Sequence, residues 1–85
     1  MSYNIFILRK AQKELSKIVG RDYNHIKEAI WNLRSEPRPK GCKKLTGRAG
    51  WRIRVGNYRI IYEIDDTQKN ITILHIGHRR DIYKI

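Results

Sequence analysis

The chain holds a single cysteine, Cys42, so no disulfide can form within it and no cysteine-based zinc cluster can be assembled. Long apolar runs are missing too. None approaches the roughly 18 residues that a membrane-spanning helix needs. The apolar run at residues 5–8 is too short for a signal peptide and has no basic segment before it. There is no internal repeat, no low-complexity tract and no glycine-rich nucleotide loop, because Gly41, Gly47 and Gly50 lack the phosphate-binding pattern. The three histidines, His25, His75 and His78, show no metal-ligand spacing with carboxylates, so neither a metal nor a cofactor is expected. His75, on an apolar strand, reads as a packed core histidine. Acid is also scarce, with eight Asp and Glu against nineteen Lys and Arg.

What is present fits one small domain over residues 1–85, with hydrophobic content of 40% spread periodically enough to form a core and to argue against disorder. A soluble, cytoplasmic protein is the expectation. A net charge of +11 points to a polyanionic partner: nucleic acid, the ribosome, an acidic protein or an anionic membrane surface. The excess is localised. Residues 1–36 carry seven basic and four acidic residues, and residues 63–85 carry four of each. Residues 37–62 hold Arg38, Lys40, Lys43, Lys44, Arg48, Arg52, Arg54 and Arg59 with no acid at all. The partner is expected to dock on this middle third, although a merely solvated basic surface is the commoner meaning of a charge run.

The coarse pattern is α+β. Residues 3–8 suit a buried strand. From Arg9 the spacing turns helical, with Ala11, Leu15 and Ile18 on one stripe. Gly20 offers a stop and Asp22 an N-cap for a second helix, in which Tyr23, Ile26, Ile30 and Leu33 recur at intervals of three and four. Pro37 and Pro39 end it. Residues 37–50 read as a basic loop. Strand-like alternation follows from Trp51 to Ile64, interrupted at Gly56-Asn57, and a further apolar run covers residues 71–76. The order is β-α-α-β-β-β, a mostly antiparallel twisted sheet with a helical hairpin on one face.

Hairpin register is the sharpest inference. If Gly56 and Asn57 form the whole loop, Val55 pairs with Tyr58, Arg54 with Arg59, Ile53 with Ile60 and Arg52 with Ile61. Trp51, Ile53, Val55, Tyr58, Ile60 and Tyr62 then share the face that packs on the helices, and Arg52, Arg54, Arg59 and Ile61 share the other. Two arginines directly opposite repel, a cost that suggests a site kept for an anion. Alternatively the guanidinium groups fan into water or pair with a distant acid such as Asp81. Arginine clamps phosphate oxygens well but is a poor general base, so proton transfer would need another group. The tail supplies His78 and Tyr83 beside Arg79 and Arg80. Guanidinium groups around a tyrosine favour its phenolate; the same ring could stack on a base or be structural. Lys40, Lys43, Lys44, Arg48 and Arg80 are the candidates for contact with RNA or the ribosome. Cys42 reads as an incidental thiol. Trp31 is either an exposed partner contact or a ring lapping the core edge.

The helix pair, then Lys44-Leu45-Thr46-Gly47, then the stretch Trp51-Arg52-Ile53-Arg54-Val55-Gly56-Asn57-Tyr58-Arg59-Ile60-Ile61-Tyr62, then Gly77-His78-Arg79-Arg80-Asp81-Ile82-Tyr83, resembles the RelE/ParE toxin superfamily, and most closely its RelE branch of type II toxin–antitoxin modules. The resemblance covers nearly the whole chain. It implies a toxin that enters the ribosomal A site and cuts mRNA by attack of the 2′-hydroxyl on the adjacent phosphate, leaving a 2′,3′-cyclic phosphate. Arg52 and Arg54 then fall where RelE-type toxins often have lysines. Arg59, Arg79 and Tyr83 match the strand arginine, the tail arginine and the C-terminal catalytic tyrosine, and His78 sits where some relatives carry a histidine. With arginine at 52 and 54, proton transfer would rest on Tyr83 or His78. The implied partners are the ribosome with its rRNA, mRNA, and an antitoxin acidic in its toxin-binding part, in a complex that can be a higher oligomer; no membrane is among them. A ParE-like poison of DNA gyrase and a non-catalytic RNA-binding module are the alternative functions.

Overall fold

The alternation from residue 51 onwards becomes the centre of a sheet in the computed structural model, which describes residues 2–78. These residues form two helices and five strands: β1 (Asn4–Ile7), α1 (Arg9–Ser16), α2 (Gly20–Asn32), β2 (Lys43–Lys44), β3 (Trp51–Val55), β4 (Tyr58–Asp65) and β5 (Asn70–His78). The spatial order is β1-β5-β4-β3-β2. β1 runs parallel to β5, and the remaining neighbours are antiparallel. The expected α+β architecture is therefore present, with one strand more than the sequence pattern suggests.

The β3–β4 hairpin has the expected register, Val55 with Tyr58, Arg54 with Arg59, Ile53 with Ile60 and Arg52 with Ile61, and the pairing extends to Trp51 with Tyr62. Of the two loop residues only Gly56 takes positive φ, at 60°, which fits a turn with glycine first. Period-2 alternation then sends Ile53, Ile60 and Tyr62 toward the helices. They meet Ala11 of α1, Ile18 between the helices, Ile26 and Ile30 of α2, Leu33 just past its end, and Ile71, Ile73 and Ile76 from β5. Each fully buried aliphatic side chain here stabilises the fold by about 1.5–3 kcal/mol relative to exposure. Tyr62 is fully buried but satisfied: its hydroxyl donates to the Pro37 carbonyl at 2.7 Å. Burial holds this phenol neutral and pushes its pKa up.

Three local expectations are corrected. Asp22 is not an N-cap. The helix opens at Gly20, whose φ of 67° makes the turn from α1, so Asp22 lies in the first turn, where its charge favours the helix dipole. Within the supposed loop, Lys43 and Lys44 form β2 by pairing with Arg52 and Trp51. Two lysines carry no strand signal of their own. Their pairing is imposed by the return of the chain at Gly50, whose carbonyl accepts from Leu45 N–H at 3.0 Å. Finally, a register shift between Ile61 and Tyr62 lets Ile61 pair with His75 and Tyr62 with Ile73, which interrupts strict alternation on β5.

Candidate nucleic-acid interface

The face of the sheet turned away from the helices carries the site. Cross-strand pairing lines up Lys43, Arg52, Ile61 and His75 in one row, and Arg54, Arg59 and Gly77 in the next. Lys40, Gly41, Lys43, Arg52, Ile53 and Arg54 line a groove of about 340 Å³. No acid is among the described residues lining it. The prolines at 37 and 39 end the helical segment and carry the chain back toward the sheet, with Cys42 N–H bonded to Pro39 O at 3.0 Å. That return brings Lys40 and Lys43 beside the β3 arginines.

The arginines differ in environment. Arg54 is exposed and Arg52 is half-buried. Arg59 is only 5% exposed, so the three do not form a uniformly exposed face. Arg59 lies on β4, between β3 and β5, and the β3 arginines lie one strand nearer the edge. Ile61, next along the same face of β4, is buried as well. The row thus grades from an exposed cation at Arg54 to a buried one at Arg59, where the lower dielectric strengthens ionic contacts.

The remaining candidates divide. Lys44 lies on the opposite side of β2 from Lys43, with its ammonium 5.5 Å from the Trp51 ring centre, while Arg38 approaches the same ring at 5.0 Å. Arg38 is also committed to Asp66, at 2.8 Å. Tyr3 donates to the other Asp66 oxygen at 2.7 Å, and these two contacts, Arg38 first, hold the Asp66 carboxyl down to about 2. Arg48 is exposed in the loop between β2 and β3, outside the groove. His78 pairs with Tyr58 at the end of β5, their rings meeting edge-on at 5.5 Å, so its register position is with Tyr58 rather than in the arginine row. Arg79, Arg80, Tyr83 and the acid Asp81 lie outside the described residues. Trp31 is exposed, at 63%, with the Arg34 guanidinium 4.1 Å from its ring centre.

One contact escaped the sequence altogether. His75 is not simply packed in the core: its Nδ1 lies 2.5 Å from Glu14 Oε2, which joins α1 to β5 across sixty-one positions of chain. No local pattern announces a partner that far away. Among the described residues, no group of three or more His, Cys, Asp or Glu is placed to hold a metal ion.

Comparison with known proteins decides the family. The model of the ParE toxin of type II toxin–antitoxin systems matches residues 5–83. The chain belongs to the RelE/ParE toxin superfamily. Within it, this toxin is 34% identical to "Toxin RelG" of Mycobacterium tuberculosis, over 99% of both chains. It is 30% identical to "Putative toxin RelE1" of Methanocaldococcus jannaschii, over 99% of this chain and 98% of the other. Among solved structures, the archaeal RelE–RelB complex from Pyrococcus horikoshii OT3 has a chain that superposes with a TM-score of 0.84 at 30% identity, covering 95% of this toxin and 99% of that chain. The RelE-type architecture, two helices against a five-stranded mixed sheet, is thus the fold of this toxin.

Proposed function

We propose that this toxin is a ribosome-dependent mRNA endonuclease that cuts translated messages in the A site and thereby stops translation in the cytoplasm. The observation that carries the reading is the groove that brings Lys40, Lys43, Arg52 and Arg54 together, with no acid among the described residues lining it and Arg59 on the same sheet face. Cations on rigid strands hold a phosphodiester in a fixed place, and guanidinium groups meet its oxygens in bidentate fashion. In the proposed reaction the substrate's own 2′-oxygen forms a bond to the adjacent phosphorus while the bond to the 5′-oxygen breaks. The products are a 2′,3′-cyclic phosphate and a 5′-hydroxyl. The arginines stabilise the charge that grows on the phosphoryl oxygens. They do not take the 2′-hydroxyl proton, since arginine remains protonated; Tyr83 or His78 is assigned that role, in keeping with their places in the family motif, and the leaving 5′-oxygen takes up a proton in turn.

The same cationic surface suits an acidic antitoxin segment, and the relatives' toxin–antitoxin complexes support a cognate antitoxin as partner. Residues 1–85 would act as one toxin domain. A second reading, a DNA gyrase poison, has in its favour the ParE name of the matching family model. The two separate in one experiment: express the toxin without antitoxin and map 5′ ends on translated and untranslated transcripts. Codon-phased cuts confined to translated mRNA are expected. Intact mRNA with accumulating double-strand DNA breaks would transfer the assignment to gyrase. Arg59→Ala and Tyr83→Phe should each abolish cutting in a folded protein, and full toxicity in both would overturn the catalytic roles.

A further inference from the structure

β1 accompanies β5 only from Asn4↔Asn70 to Ile7↔Ile73, and then turns away into α1. β5 runs on to His78, so its last residues have β4 on one side and, among the described residues, no strand on the other. Edge amides left this way need another acceptor. Glu14 of α1 provides it. Its Oε1 accepts the Ile76 N–H at 2.9 Å, and its Oε2 meets His75 Nδ1 at 2.5 Å. Glu14 is the sole acid in the sequence of α1, whose other charged side chains are Arg9, Lys10 and Lys13.

The consequence reaches the cationic face through Gly77. A Cβ at Gly77 would lie 3.1 Å from His75 Nε2, so the imidazole occupies the space a side chain would take. Gly77 is the direct cross-strand partner of Arg59, and His75 that of Ile61. With no side chain at 77, the His75 ring fills the space beside the Arg59 position among the described residues. Tyr58 and His78, edge to face at 5.5 Å, close the strand end one residue further on. One carboxylate therefore bonds the backbone of β5 at Ile76 and lies against the His75 ring, one and two residues before Gly77, the position opposite Arg59.

We propose that Glu14 is a positioning residue of the RNA-cleaving site: through His75 and the Ile76 amide it sets the end of β5 across from Arg59. This rests on the endonuclease reading above. The role is distinct from substrate affinity, because Glu14 lies on α1 and is not among the residues lining the groove. Misplacing a catalytic group costs rate rather than binding.

Two measurements on the full chain test it. Amide hydrogen exchange, read without RNA, should show Ile76 exchanging at least about tenfold faster in Glu14→Ala while Ile60 and Ile73 stay protected. Glu14→Gln retains an acceptor oxygen and should keep the Ile76 protection. On programmed ribosomes, Glu14→Ala should lower kcat by about tenfold with KM within about twofold, and Glu14→Gln should recover most of the rate. If Glu14→Ala fails to fold, Glu14→Asp keeps the charge, loses one methylene of reach and should show the same split in smaller measure. Unchanged Ile76 exchange in Glu14→Ala would overturn the clamp. Faster exchange with an unchanged kcat, or a loss confined to KM, would overturn the positioning role. A wild-type chain that cuts no mRNA overturns the endonuclease reading instead, and is recognised as such because the exchange measurement needs no substrate.

Discussion

Arg54 and Arg59 stand directly opposite one another on β3 and β4, two guanidinium groups facing the same side of the sheet. Like charges in that arrangement destabilise a strand pair by a few tenths of a kcal/mol up to about 1 kcal/mol. Arg54 is exposed and lines the groove, so removing its charge separates stability from binding. Arg54→Gln is expected to raise the stability measured by urea unfolding by about 0.2–1 kcal/mol, while lowering toxicity on expression. A variant that is both less stable and fully toxic would contradict the view of this pair as a cost borne for an anion.

Lys43 and Arg52 are cross-strand partners in the same groove. Their contribution to RNA binding is expected to be electrostatic. Binding of the toxin to a short single-stranded RNA, titrated from low to moderate salt, should weaken linearly on logarithmic axes. Replacing either residue with glutamine should reduce the steepness of that line by about one. Replacing Arg38, which is engaged with Asp66, should change it far less.

The Tyr62 hydroxyl ties β4 to the loop that carries Lys40, through the Pro37 carbonyl. Tyr62→Phe leaves that carbonyl without its bond and is expected to cost about 0.5–1.5 kcal/mol. For a chain of this size, 1 kcal/mol corresponds to a fall in Tm of about 4–8 °C, readily seen by thermal unfolding. An unchanged Tm would show that the loop is held by other contacts.

Asp66 carries the pH dependence. Its carboxyl is held down to about 2 by Arg38 and Tyr3, against about 3.9 in an unfolded chain. A folded-state pKa below the unfolded one adds stability that is fully present above pH 4 and is lost as the pH falls toward 2. Both partners are at the surface, so the effect is small. Asp66→Asn should flatten the decline in Tm between pH 4 and pH 2 relative to wild type. An equally steep decline would place the acid sensitivity in other carboxylates.

The register of the β3–β4 hairpin was legible from residues alone. A two-residue loop at Gly56-Asn57 and strict alternation leave one pairing that buries Ile53 and Ile60 together, and slipping it by one residue would bring the arginines inside. The helical stripes of α1 and α2 were equally legible, because amphipathic spacing is a local property. Where each strand sits in the sheet is not local. Alternation puts Arg59 on the face away from the helices and says nothing of its being only 5% exposed there, and β2 exists only because Lys43 and Lys44 are returned beside a finished β3. Glu14 meets His75 because β1 leaves the β5 edge early, which depends on a parallel pairing between the two ends of the chain. The sequence by itself thus determined which residues face the helices and which face the other side of the sheet. Tertiary structure decided how deeply each cation is held and what fixes the strand end beside it, since both depend on contacts between segments far apart along the chain.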